Sequence, residues 1–175
     1  VGTGGSALVS KTMGEGDKKK ANEYFSMLIY LLIIMSIIFT VLGAIFIKPI
    51  AKLLGADESM LADCIIYGRT LMFFLVPFAL QNSFQSFLIV AEKPTFGLIV
   101  SIAAGVTNMI LDFLFVYVLK MGLFGAALAT GISQVVGAII PLIYFIRNKD
   151  NTLILSFSLI NILIHQYFQL HNDIQ

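Results

Sequence analysis

The sequence predicts an all-α protein, a polytopic bundle of transmembrane helices. Three observations lead there. Of the 175 residues, 58% are hydrophobic and only 12% are charged, about half the charge of an average soluble domain. Mean hydropathy is +0.93, and a soluble fold of this size has too little interior to hide so much apolar surface. The charges are also clustered, leaving uncharged stretches close to the roughly 20 residues that cross about 30 Å of hydrocarbon. No water pairs backbone groups inside a bilayer, so these stretches are helices rather than open strands. The single cysteine, Cys64, excludes a disulfide scaffold, and 11 basic against 10 acidic residues provide no nucleic-acid surface.

Residues 1–12 read as the end of a helix, and the chain is expected to begin partway through a longer protein. A charged loop follows over 11–23. The first full span is 24–47, between Glu23 and Lys48. The second is 70–91, between Arg69 and Glu92. The third, 95–119, holds one charge, Asp112, and the fourth, 121–146, lies between Lys120 and Arg147. Residues 48–69 read as a long outer connection, in which Ser59 and the following residues to Asp63 resemble a capping box opening the second helix. Pro94 suits a first helical turn, where no amide donor is lost. The short turn Lys120-Met121-Gly122-Leu123 makes the last two spans an antiparallel hairpin.

With no tryptophan, Tyr24, Tyr67, Tyr117 and Tyr144 are expected to mark the membrane interfaces. Lys11, Lys18, Lys19, Lys20, Lys93, Arg147 and Lys149 fall on one side, and Lys48, Lys52, Arg69 and Lys120 on the other. That excess makes the loop 11–23 cytoplasmic. Residues 151–172 read as an interfacial amphipathic helix, with Ser158, Asn161, His165, Gln169 and Asn172 on one face and Phe157, Ile160, Ile164 and Phe168 on another.

Asp112 is the one ionisable residue well inside a span. A charge there costs about 2.5–3.5 kcal/mol on insertion scales, which marks it as a functional residue. Asn108, one turn away, shares its face. Asp112 and Thr130 lie equal numbers of residues either side of the hairpin turn, as do Asn108 and Gln134. At 1.5 Å per residue the first pair sits about 13 Å from the turn. A carboxylate, an amide oxygen and a hydroxyl at one depth suit a proton or a hard cation such as Na⁺; interhelical hydrogen bonding is the plain alternative. Gln81, Asn82 and Gln85 follow Pro77 among Met72, Phe73, Phe74, Phe78, Phe84 and Phe87. Such surfaces suit adaptable apolar ligands, yet helix packing around a proline kink explains them as well and is preferred. Gly2-Thr3-Gly4-Gly5-Ser6 lacks the context of a phosphate loop. No Ser/His/Asp, Cys/His or nucleotide motif is present in this body, so an enzyme is not expected.

Several runs resemble MATE (multidrug and toxic compound extrusion) transporters. They are Gly2-Thr3-Gly4-Gly5-Ser6 through Gly14-Glu15-Gly16-Asp17, Asn108-Met109-Ile110-Leu111-Asp112, and Gly122-Leu123-Phe124-Gly125-Ala126-Ala127 through Gln134. Tyr67-Gly68-Arg69 and Phe84-Gln85-Ser86-Phe87 through Glu92-Lys93-Pro94 resemble the MepA-like branch. The resemblance implies a twelve-helix plasma-membrane antiporter of two lobes, exporting cationic or amphipathic drugs in exchange for Na⁺ or H⁺, with no other cofactor. Residues 1–150 would be part of the N-terminal lobe, from the end of helix two through helix six, and 151–175 a tail outside the pattern. The family's cation site maps onto Asp112, Asn108 and Thr130. From their own chemistry, and not from the resemblance, Gln81, Asn82, Gln85, Phe78 and Gln134 are the candidates for a substrate cavity. Partners would be drugs, the bilayer and the remainder of the transporter. A lipid-linked sugar flippase of the same superfamily, or a non-transporting membrane scaffold, are the alternatives.

Overall fold

The computed structural model describes residues 2–147 and 153–155. Among the described residues six α-helices follow one another: α1 (Gly2–Gly14), α2 (Lys18–Leu53), α3 (Glu58–Phe73), α4 (Leu75–Val90), α5 (Pro94–Asp112) and α6 (Gly122–Arg147), with a π-helical stretch, Phe113–Val118, continuing α5. α2, α5 with its π continuation, and α6 are each long and apolar enough to cross a membrane. α3 and α4 are long and apolar enough only when taken together, and they are bent by 53° at the break between them.

Local chemistry sets the boundaries. Asp17 caps α2 by accepting from the Lys20 amide at 3.0 Å. At its far end α2 runs beyond the expected limit, through Lys48 and Pro49, because a complete glycine stop is available only later. Gly55 takes φ +93, the Ala56 amide bonds to Ala51 O at 3.0 Å and the Gly55 amide to Lys52 O at 3.1 Å, the pattern of a Schellman cap. The long outer connection expected over 48–69 therefore shrinks to a few residues. α3 opens one residue before Ser59. Asp57 is its cap, accepting from the Met60 amide at 3.0 Å and the Ser59 hydroxyl at 2.7 Å, so Ser59 supports the cap rather than being it. Those bonds, the Ser59 hydroxyl foremost, hold the Asp57 carboxyl below its usual range. A depressed pKa stabilises the fold above the ordinary carboxylate range and loses that contribution as pH falls through the depressed value. The early start also moves Tyr67 from a helix end to the body of α3.

Pro77 sits in the first turn of α4, where its missing amide costs nothing. The helix break one turn earlier is its consequence, since its ring would crowd the Phe73 carbonyl in a continuous helix. Thr40 of α2 donates to the Met72 carbonyl at 3.1 Å beside the break, supplying a donor where the helix ladder is interrupted. Pro94 takes the first turn of α5, as expected.

The core lies toward one end. Phe25, Phe84, Phe87 and Phe145 are fully buried with Val9, Ile29 and Leu88. Phe25 meets Phe87 at 4.7 Å and Phe145 at 4.9 Å between ring centroids, the edge and tilted geometries aromatic pairs favour. Phe84 and Phe87, ligand-facing on one sequence reading, are core residues. The chain at 153–155 packs here too: Ile154 N–H donates to Asn22 Oδ1 at 2.8 Å and Leu155 N–H to Phe145 O at 3.1 Å. These three residues are not helical, unlike the interfacial helix expected there. The rest of that stretch, with Phe157, His165 and Asn172, lies outside the described residues.

Phe25→Ala is expected to lower stability by about 3–5 kcal/mol, the cost of a phenylalanine cavity in a packed core. Denaturant titration in mixed micelles reads this, and a loss below about 1 kcal/mol contradicts the placement of the core.

Candidate functional site

α4 and α6 run in the same direction, and their contacts follow a ladder. Phe74 lies flat against Gly131, where any Cβ would meet its ring. One turn on, Phe78 and Gln134 line a common cavity. A further turn on, the Gln81 side chain occupies the space a Cβ on Gly137 would need. Small residues on α6 thus let α4 approach closely, as membrane helices do where dispersion and polar contacts drive association.

The break at Phe74 opens this seam into a cavity of about 250 Å³, lined by Leu71, Met72, Phe74, Leu75, Phe78, Thr130, Gly131 and Gln134. Its wall is apolar on the α3–α4 side and polar on the α6 side, where Thr130 and Gln134 sit. Gln134 Oε1 and Gln81 Oε1 are buried without a hydrogen-bond partner. A larger apolar groove, about 780 Å³, lies alongside between α2 and the break; Met72 and Leu75 line both.

Of the residues expected to face substrate, Phe78 and Gln134 therefore meet at one cavity. Gln81 is wedged against α6 beside it. Asn82 Nδ2 donates to Phe78 O within its own helix at 2.8 Å. Gln85 Nε2 donates across to Gly97 O of α5 at 3.2 Å, tying α4 to α5.

Asp112 ends α5 half-buried. It caps nothing, and its carboxylate has no hydrogen bond or ion pair with another described residue. One turn back, Asn108 Nδ2 is buried and likewise unpaired. Thr130 lines the cavity, and its carbonyl accepts from Ser133 Oγ at 2.7 Å. The equal-count depth argument presumed an α-helix up to the hairpin turn. The π-helical stretch Phe113–Val118 changes the rise and the register between Asp112 and that turn. No sequence signal marked this stretch.

One carboxylate with a neutral amide one turn away on the same helix suits a proton or a monovalent cation better than a divalent one; Thr130 lines the cavity of α3, α4 and α6, and neither Asp112 nor Asn108 is among its lining residues. Among the described residues no three of His, Cys, Asp or Glu gather into a metal cluster.

Comparison with known proteins adds three findings. The family model MatE matches residues 1–114. Multidrug export protein MepA of Staphylococcus saprophyticus is 32% identical over 150 residues, covering 85% of this chain and 33% of that protein. MepA of Staphylococcus aureus is 31% identical over 150 residues with the same coverage. The chain thus spans about a third of the length of these relatives (33%). A solved inward-facing multidrug resistance MATE transporter superposes with TM-score 0.84 at 22% identity, over 90% of this chain and 36% of that one. An outward-facing one gives 0.83 at 22%, over 90% and 35%. The likeness is one of fold and selects neither state.

Gly131→Ala is expected to destabilise by about 1–3 kcal/mol, the range for overpacking. Adding Phe74→Leu recovers part of that, with a coupling of at least about 0.5 kcal/mol in a double-mutant cycle. Strict additivity would mean Phe74 does not rest on Gly131.

Proposed function

This chain belongs to the MatE family, and from that premise we propose that it forms the cation-coupled part of a multidrug exporter, moving cationic or amphipathic compounds outward in exchange for Na⁺ or H⁺. One observation supports the reading: Asp112 lies within a span and has no hydrogen-bond or ion-pair partner among the described residues, and one turn away Asn108 Nδ2 is buried and equally uncommitted. An unpaired polar group in hydrocarbon costs several kcal/mol, so a fold that keeps two of them together has an external partner for them.

Asp112 supplies the charge. Asn108 presents its amide on the same helix face, and either its oxygen or its nitrogen can turn inward without losing a bond within the protein. Thr130 brings a hydroxyl from α6. A bound proton or Na⁺ would neutralise the carboxylate. Uptake of the cation in one arrangement of the bundle and its release in another biases the equilibrium between them by the difference in affinity. The cavity beside the break, with its apolar wall and the free Gln134 oxygen, receives part of the exported compound. At about 250 Å³ it is smaller than the 300–1,000 Å³ typical of drug-sized sites, so it holds one ring system of a larger ligand. The loop between α1 and α2, followed by Lys18, Lys19 and Lys20 in the first turn of α2, faces the cytoplasm.

The test is a chimera in which this chain replaces the matched region of the S. saprophyticus protein. Ethidium efflux is expected in intact cells. Asp112→Asn is expected to reduce it to background while the protein still inserts. Full efflux by Asp112→Asn removes the carboxylate from the mechanism.

A further inference from the structure

The cation reading uses Asp112 but gives no role to the helix that follows it. That stretch is π-helical, Phe113–Val118. The Leu119 amide reaches Leu114 O, five residues back, at 2.9 Å, and the Met121 amide closes a still wider loop onto Phe115 O, six residues back, at 2.9 Å. An i→i+5 turn holds one more residue than an α-turn, and such turns concentrate at functional sites. Here the wide turn presses on α6 at Gly125, where α6 offers no side chain. A Cβ on Gly125, a buried residue, would stand 3.0 Å from Phe115 Cβ, 3.1 Å from the Phe115 carbonyl carbon and 2.9 Å from Met121 Cβ. None of these atoms can move aside by a rotamer change. On the opposite side, Phe113 and Tyr117 stack at 5.2 Å with 20° between their rings, both facing outward.

We propose that Gly125 is a positioning residue for Asp112: it leaves room for the π turns, and they set the angle at which α5 presents the carboxylate to the bundle. The proposal rests on Asp112 as the cation-holding group. An α-helix turns about 100° per residue. If the stretch rewound to α with the hairpin held in place, α5 beyond it would rotate by about that angle for each residue released. Such a rotation carries Asp112 off the face it shares with the bundle and toward lipid. A methyl group at position 125 opposes the wide form and not the narrow one.

The chain in lipid nanodiscs is treated with dicyclohexylcarbodiimide, a lipid-soluble carboxyl reagent, and modification of Asp112 is followed by mass spectrometry in Na⁺ or in choline. Gly125→Ala is expected to raise the labelling rate severalfold and to remove any effect of Na⁺. Deleting Val116 takes out the additional residue and returns α5 to its angle, so it should restore the unaltered rate in the Gly125→Ala background. An unchanged rate in Gly125→Ala, or a rise that the deletion does not reverse, overturns the proposal. Should Gly125→Ala fail to insert, the deletion alone decides: labelling as in the unaltered chain upholds the proposal, and a changed rate refutes it. Loss of Na⁺ protection in the unaltered chain, with the Gly125→Ala rise intact, sinks the cation reading and leaves Gly125 in its role.

Discussion

Pro77 has no amide hydrogen and crowds the carbonyl one turn before it; one half of the molecule is arranged around that constraint. α3 stops at Phe73 and α4 starts again at Leu75 with a 53° bend. Hydrocarbon offers no water to a loosened carbonyl, so Thr40 crosses from α2 to Met72 O. The bend brings Phe74 onto Gly131. The space left behind the ring is the cavity that Thr130 and Gln134 line. The cavity thus follows from the break, which is capped and packed on both sides, and not from loose packing.

The bundle divides its labour along its length. Around Phe25, Phe84, Phe87 and Phe145 it is closed, with rings in contact and fully buried. Around the break it is open, with a groove and a cavity sharing Met72 and Leu75 as their partition. Packing concentrated at one end lets the other keep the Gln81 and Gln134 oxygens buried without a partner.

The polar side chains within the spans sort by their partners. Thr12, Thr70 and Thr107 return their hydroxyls to carbonyls one turn back, and Gln85 joins two helices. These are structural, and their bonds reach only neighbouring backbone. Asn108, Gln134 and Gln81 keep buried atoms free, and Asp112 keeps a free carboxylate. Each orphaned buried group costs about 1–3 kcal/mol. Gln81 and Gln134 stand at the α4–α6 seam and Asn108 and Asp112 one turn apart on α5, and at these two places the fold accepts that cost.

Much of this was legible in the chain. Hydropathy and the clustering of charge determined that the protein is a helical membrane bundle, roughly where its spans lie, that α5 and α6 form a hairpin, and that Asp112 is the unusual residue, because desolvation acts on each residue wherever the neighbours sit. Other features depended on competition between elements. Asp57 and Ser59 are both good caps, and α3 began at Glu58 only because Gly55 ended α2 so close by. Pro77 could have kinked a span or begun a helix; packing against Gly131 and Thr40 selected the break. Which of Gln81, Asn82, Gln85 and Gln134 would be satisfied, and that α5 would widen to a π-helix over Gly125, only the tertiary structure decided. A hydrogen bond or a close approach needs a second surface at a particular distance, and residue order along one chain does not contain that distance.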